Sequence, residues 1–103
     1  MNHERVKHTA QPPNPRTIRR ACGKELYRAV KRLRQHIPSE SVRAAEELYT
    51  RKVIGHLEWI TMNQSNRKML ADWWDEAVCP DIAALWQVEP ARLSRAFRDA
   101  FGG

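Results

Sequence analysis

The sequence predicts an all-α fold: a small bundle of about five helices, preceded by a flexible arm. Apolar residues recur every three or four positions over most of residues 16–101, which is the spacing that places them on one face of a helix. No stretch shows the sustained alternation of apolar and polar residues that is typical of a half-buried strand. Pro38, Pro80 and a polar turn at residues 63–66 divide the pattern into segments of helix length.

A single domain over residues 16–103 is predicted, because a chain of 103 residues with 42% hydrophobic content can build one modest core. No apolar run approaches the ~20 residues of a membrane-spanning helix. The N-terminus also lacks the apolar segment of a secretory signal. Cys22 and Cys79 lie far apart, which favours free buried thiols in a reducing compartment. We therefore expect a cytoplasmic protein.

The net charge of +6 is unevenly distributed along the chain. Residues 1–36 contain ten Lys and Arg against two acids, a net +8, whereas residues 37–103 contain eight against ten, a net −2. Such asymmetry indicates a polyanionic partner, usually nucleic acid. Residues 1–15 contain three prolines and few apolar side chains. They predict a disordered basic arm, because they cannot bury enough surface to offset the entropy lost on ordering.

The first predicted helix runs from residue 16 to residue 37 and has two chemically opposite faces. Thr17 is placed to cap its start, and Pro38 ends it because the residue before a proline is disfavoured in the helical region. The apolar face consists of Ile18, Cys22, Leu26, Ala29, Val30, Leu33 and Ile37. The opposite face, within roughly 120° of arc, consists of Arg16, Arg20, Lys24, Arg28, Lys31 and Arg34. Six cations with no acid between them predict contact with a polyanion or an acidic partner.

Two further helices are predicted in the middle of the chain. One is capped by Ser39 or Ser41 and runs to about Met62, with Gly55 at a position where a missing side chain suits close packing. The next follows the turn at residues 63–66 and is capped by Ser65. The apolar faces of these two helices are predicted to comprise Val42, Ala45, Tyr49, Val53, His56, Leu57, Ile60, Met69, Leu70, Trp73, Trp74 and Ala77.

Helices over about 81–87 and 90–101 end the chain, and the short turn between them is typical of a helix-turn-helix. Ala83 is small where the second helix crosses the first, and Val88 fills the turn. Pro90 suits the first position of the second helix, where its missing N–H costs nothing. The buried stripe of that second helix is predicted to be Leu93, Phe97 and Phe101.

This segment resembles the helix-turn-helix of AraC-type regulators and, more loosely, that of the LacI type. The resemblance covers residues 81–102 and is carried by Ile82-Ala83, Val88, Pro90, Arg92-Leu93-Ser94-Arg95, Phe97-Arg98 and Phe101-Gly102. Gln87 departs from the family pattern, which places a glycine with a left-handed backbone in the turn. The resemblance implies that the last helix is a recognition helix whose DNA contacts are Arg92, Ser94, Arg95 and Arg98.

These features together predict a DNA-binding protein, specifically a small transcriptional regulator of bacterial or phage type. The expected partner is double-stranded DNA, and RNA stays open as an alternative. Residues 81–103 carry no net charge, so the basic face of the first helix is expected to supply the phosphate contacts. One small helix-turn-helix buries little surface on DNA, which predicts a homodimer. Trp73 or Trp74 would contact the second subunit, since two adjacent tryptophans cannot both face one core.

Two alternatives remain open on the sequence. The last two helices can be a purely structural pair, and the basic helix can dock an acidic partner as part of a helical adaptor or inhibitor. A membrane-surface role is not expected, because the apolar face of the first helix lacks Trp and Phe. Catalysis is not expected either: Asp72, Asp75 and Glu76 have no converging histidine, and no phosphate-binding loop or nucleophile motif is present. The histidines lack metal-ligand spacing, so no metal or cofactor is predicted.

Overall fold

The computed structural model describes residues 13–102, which form six α-helices and no strand. The all-α prediction is therefore confirmed, with one helix more than the five expected. The predicted basic arm lies almost entirely outside the described residues. The helices are α1 (Pro15–Leu33), α2 (Ser39–Gly55), α3 (Leu57–Met62), α4 (Arg67–Ala77), α5 (Cys79–Trp86) and α6 (Pro90–Phe101).

Helix α1 begins slightly earlier than predicted, because Asn14 rather than Thr17 is its N-cap. The Asn14 side chain accepts a hydrogen bond from the backbone N–H of Thr17 at 2.9 Å. In return, the backbone N–H of Asn14 donates to the Thr17 hydroxyl at 3.2 Å. This reciprocal arrangement is a capping box, which satisfies two backbone donors at once. Pro15 occupies the first helical position, where its fixed φ is favourable.

Helix α1 also ends earlier than predicted, at Leu33 rather than at residue 37. Arg34 adopts a left-handed conformation with φ 55°, which closes the last turn. The guanidinium of Arg92, from α6, donates a hydrogen bond to the carbonyl of Leu33. A side chain far along the sequence thus satisfies one of the carbonyls that a helix end leaves without a partner.

The helix predicted from Ser39 to Met62 is interrupted at His56, whose φ of −127° and ψ of 27° are not helical. His56 is therefore exposed at a break instead of lying on a buried face. The close packing expected at Gly55 is wrong, since a Cβ there would meet nothing within 4 Å. A glycine with free space around it weakens a helix by its own flexibility, consistent with a break at this point.

Helix α4 is also capped differently from the prediction: Asn66, not Ser65, accepts from the backbone N–H of Met69, at 3.0 Å. Asn66 side-chain capping satisfies one of the first four N–H groups of the helix.

The core forms where α1 packs against α2 and α6, with α4 and α5 closing it. The ring of Trp74 stacks on that of Phe97, with centroids 3.8 Å apart and an interplanar angle of 3°. Tyr49 meets both rings edge-on at 6.1 and 6.3 Å. The indole N–H of Trp86 donates to the carbonyl of Ser41 at 3.0 Å, which ties α5 to α2.

Residues 87–89 form the short turn that joins α5 to α6. Gln87 is left-handed, with φ 56° and ψ 51°, although it is not a glycine. The backbone N–H of Val88 returns to the carbonyl of Ala83 at 2.9 Å, and both side chains are buried. Leu93 and Phe97 of α6 are buried as expected, whereas Phe101, the third residue of the predicted stripe, is half-buried.

The turn residue offers a stability prediction. Replacing Gln87 by glycine is expected to raise the free energy of unfolding by roughly 0.5–1 kcal/mol, because a left-handed backbone costs a residue with a Cβ about 1–2 kcal/mol and glycine recovers only part of it. Urea denaturation followed by circular dichroism would measure the change. Gln87→Ala is the control, since it keeps the Cβ and should change stability by less than about 0.5 kcal/mol. A glycine variant no more stable than the alanine variant would contradict the prediction.

Candidate nucleic-acid interface

The outward face of α1 carries the strongest concentration of unpaired positive charge in residues 13–102. All six cations predicted for this face are exposed, and none has a carboxylate within 4.0 Å among the described residues. From the first to the fifth of them the helix rises roughly 22 Å at about 1.5 Å per residue. We call this set the α1 basic face. Its members on the helix are Arg16, Arg20, Lys24, Arg28 and Lys31, and Arg34 is the left-handed C-cap that follows the helix.

The packing of α1 explains why this face points outward. The opposite side of the helix is held against α2 and α6 by buried side chains, so rotation of α1 would expose the core. Arg19, at the edge of that packed side, is paired with Glu46 at 3.0 Å and with Glu47 at 3.8 Å. The buried members of the predicted apolar face are Ile18, Cys22, Leu26, Ala29, Leu33 and Ile37.

The structure places Arg98 differently from the free arginine expected on a recognition helix. Its guanidinium bonds to Asp75 at 2.6 Å and to Asp72 at 2.6 Å, and its side chain is only 28% exposed. The Arg98 hydrogen bond, with help from Lys68, holds the pKa of Asp72 below its ordinary value. The same two carboxylates raise the pKa of Arg98. Two carboxylates therefore already engage this cation, and they join α6 to α4.

Arg92 also forms hydrogen bonds with residues outside α6, but its partners are uncharged. It donates to the side-chain oxygen of Gln35 at 2.7 Å and to the carbonyl of Leu33. Because neither partner carries a charge, the positive charge of Arg92 is not cancelled. The contact holds it at the C-terminal end of α1.

The other two residues expected to contact DNA from α6 differ in exposure. Arg95 is exposed and forms no hydrogen bond or ion pair with the described residues, whereas Ser94 is half-buried. The four residues of α6 that were expected to contact DNA therefore differ in their surroundings. Arg95 is exposed, Arg92 hydrogen-bonds to the end of α1, and Arg98 is paired with two carboxylates.

Two residues beside the α1 basic face were missed by the sequence reasoning. Tyr27 is 60% exposed, and the Nζ of Lys31 lies 5.2 Å from the centroid of its ring. At 100° per residue Tyr27 projects from the same side of the helix as Arg20 and Lys24. Its exposure could therefore have been predicted from the sequence. Arg43 of α2 lies across a groove from Tyr27, and only tertiary packing brings these two together.

The two adjacent tryptophans of α4 have different surroundings. Trp74 is 1% exposed and belongs to the core, so it is not a candidate for contact with a second subunit. Trp73 is half-buried, with its ring 5.9 Å from that of His56. Trp73 therefore remains the candidate of the two for a subunit contact.

An apolar cavity of about 440 Å³ lies among α1, α2, α3, α4 and α6, and Glu25 is the charged side chain that lines it. Burial raises the pKa of Glu25, although the hydroxyl of Tyr49 donates a hydrogen bond to its carboxylate. Burial likewise raises the pKa of Cys22 to about 12 and that of Cys79 to about 11. Both thiols are therefore protonated at neutral pH, which makes them poor nucleophiles.

The described part of the chain contains no group of three or more His, Cys, Asp or Glu residues arranged to hold a metal ion. None of its helices is both long enough and apolar enough to traverse a bilayer. Comparisons with protein-family models, with curated proteins and with solved structures found no match to this chain. Chemically, the arrangement on α1 is suited to binding an extended array of negative charges.

Proposed function

We propose that this chain is a small DNA-binding regulator whose main contact with double-stranded DNA is the α1 basic face. The observation that carries the proposal is a row of six exposed cations without a carboxylate within 4.0 Å among residues 13–102. Cations of this kind neutralise phosphates and release condensed counterions, which supplies most of the sequence-independent free energy of DNA binding.

Helix α6 contributes less to this surface than the family resemblance implies. Arg98 already has two carboxylate partners, so contact with a phosphate would have to displace Asp72 and Asp75. Arg95 is the exposed arginine of α6 that is available to reach a base edge, and Arg92 adds charge where α6 meets α1. We therefore expect phosphate contacts from α1 to dominate affinity, with sequence discrimination limited to what Arg95 provides.

The test is the salt dependence of binding to a random 20-base-pair duplex, measured by fluorescence anisotropy. Six phosphate contacts predict that the logarithm of the association constant falls against the logarithm of salt concentration with a slope of about −5. Absence of duplex binding at physiological salt would overturn the proposal. It would instead favour a protein-binding adaptor that uses the same face to dock an acidic partner.

A homodimer remains part of the proposal, because a single domain of this size covers little of a DNA site. Sedimentation with and without duplex would give the stoichiometry. One chain per duplex at saturation would remove the dimer from the proposal without affecting the role of α1.

A further inference from the structure

An open groove of about 500 Å³ runs between α1 and α2, immediately beside the α1 basic face. This volume is within the range of sites that bind small organic groups. Its apolar lining comes from Val30, Ile37 and Val42, and the ring of Tyr27 forms part of its wall. The polar residues that line the groove are Arg19, Ser39, Arg43 and Glu46.

The groove has unpaired positive charge on both sides. On the α1 side Lys31 lies over the ring of Tyr27, and on the α2 side exposed Arg43 lines the groove. Arg43 has no carboxylate within 4.0 Å among the described residues, whereas Arg19 is already paired with Glu46. An apolar groove with Lys31 on one side and Arg43 on the other is complementary to a nucleic acid, which carries flat bases on a phosphate backbone.

Tyr27 supplies the flat surface that such a ligand needs. Its ring is 60% exposed. The Nζ of Lys31 lies 5.2 Å from the ring centroid. Stacking of bases on exposed aromatic rings, combined with cations that follow the backbone, is how proteins bind single strands without strict sequence preference. Duplex DNA does not offer an unstacked base to such a ring.

We infer that Tyr27 and the α1–α2 groove bind an unpaired nucleobase, while the α1 basic face and Arg43 hold the phosphates on either side of it. A nucleic acid with an unpaired base is therefore expected to bind this surface in addition to a duplex, with the base stacked on Tyr27. This inference rests on the proposed function and deepens it, because it uses the same basic face and adds a site for an unpaired base beside it.

The experiment compares a ten-nucleotide oligo-dT with a duplex for binding to the wild-type chain, to Tyr27→Ala and to Tyr27→Trp. Loss of one base–aromatic stack predicts that Tyr27→Ala weakens oligo-dT binding by about 5- to 150-fold. Duplex binding should change by less than about twofold, since the tyrosine carries no charge for a phosphate. Tyr27→Trp should keep or strengthen oligo-dT binding, because tryptophan offers a larger ring.

Trp59→Ala serves as the matched control, since it removes another exposed aromatic, 36% exposed, from a helix that does not line this groove. It should leave binding of both ligands unchanged. If Tyr27→Ala affects oligo-dT and duplex equally, or affects neither, the inference is overturned, while the proposed function stands as long as the duplex shows its steep salt slope. If the wild-type chain binds neither ligand, both are overturned.

Discussion

Replacing Trp74 by alanine is expected to lower the free energy of unfolding by about 3–5 kcal/mol, the range found when a large aromatic side chain is removed from a packed core. Trp74 is 1% exposed and stacks on Phe97 with ring centroids 3.8 Å apart. Its removal therefore leaves a cavity and takes away the partner of a second aromatic ring. Single domains are typically stable by about 5–15 kcal/mol, so this loss is a large share of the total. Urea denaturation followed by circular dichroism would measure it.

Two control variants separate the loss of packing at Trp74 from the effect of its unsatisfied indole N–H and from the effect of truncating any tryptophan. Its indole N–H is buried without a hydrogen-bond partner in the described residues. Trp74→Phe keeps an aromatic ring and removes this unsatisfied donor, so it should cost far less than alanine, since a buried unpaired group itself costs about 1–3 kcal/mol. Trp59→Ala makes the same truncation at an exposed site and should cost less than about 1 kcal/mol. Equal losses for Trp59→Ala and Trp74→Ala would show that the Trp74–Phe97 stack does not organise the core.

Neutralising two cations of the α1 basic face is expected to produce the largest change in DNA binding. In the double variant Arg20→Gln and Lys24→Gln, the log–log salt slope should become shallower by about 1.8 units, since each lost phosphate contact removes about 0.9. The affinity should fall on every duplex sequence alike, because phosphates carry no sequence information. Fluorescence anisotropy over a series of salt concentrations would give both quantities.

The matched control is the double variant Arg51→Gln and Lys68→Gln, which also removes one exposed arginine and one exposed lysine. These residues lie on α2 and α4, and the net charge of the chain changes by the same amount. The control should leave the slope almost unchanged if phosphates contact α1. Equal slopes for the two double variants would mean that binding follows total charge, and the α1 basic face would lose its assignment as the contact surface.

Much of the candidate site could be predicted from local sequence. The alternation of apolar and basic residues every three or four positions in α1 is a property of helix geometry alone, so the five cations within the helix were predicted from it, whereas Arg34 proved to be the left-handed C-cap. The burial of Leu93 and Phe97 also agrees with the stripe predicted for the last helix, although Phe101 is only half-buried. Helix ends were less accurate, because Asn14 and Asn66 cap the helices where other residues were expected.

Tertiary contacts decided what the arginines of α6 do. Arg98 and Asp75 are 23 positions apart in the chain, and Arg92 and Leu33 are 59 apart. The spacing of residues within one helix shows which side chains share a face, but it carries no information about the helix that packs opposite. Arginine side chains are long enough to reach across the contact between two packed helices, where they can pair with carboxylates or donate to backbone carbonyls that have no other partner. The sequence of α1 by itself determined which of its charged side chains face solvent. The partners of Arg92 and Arg98 were decided by the way α6 packs against α1 and α4.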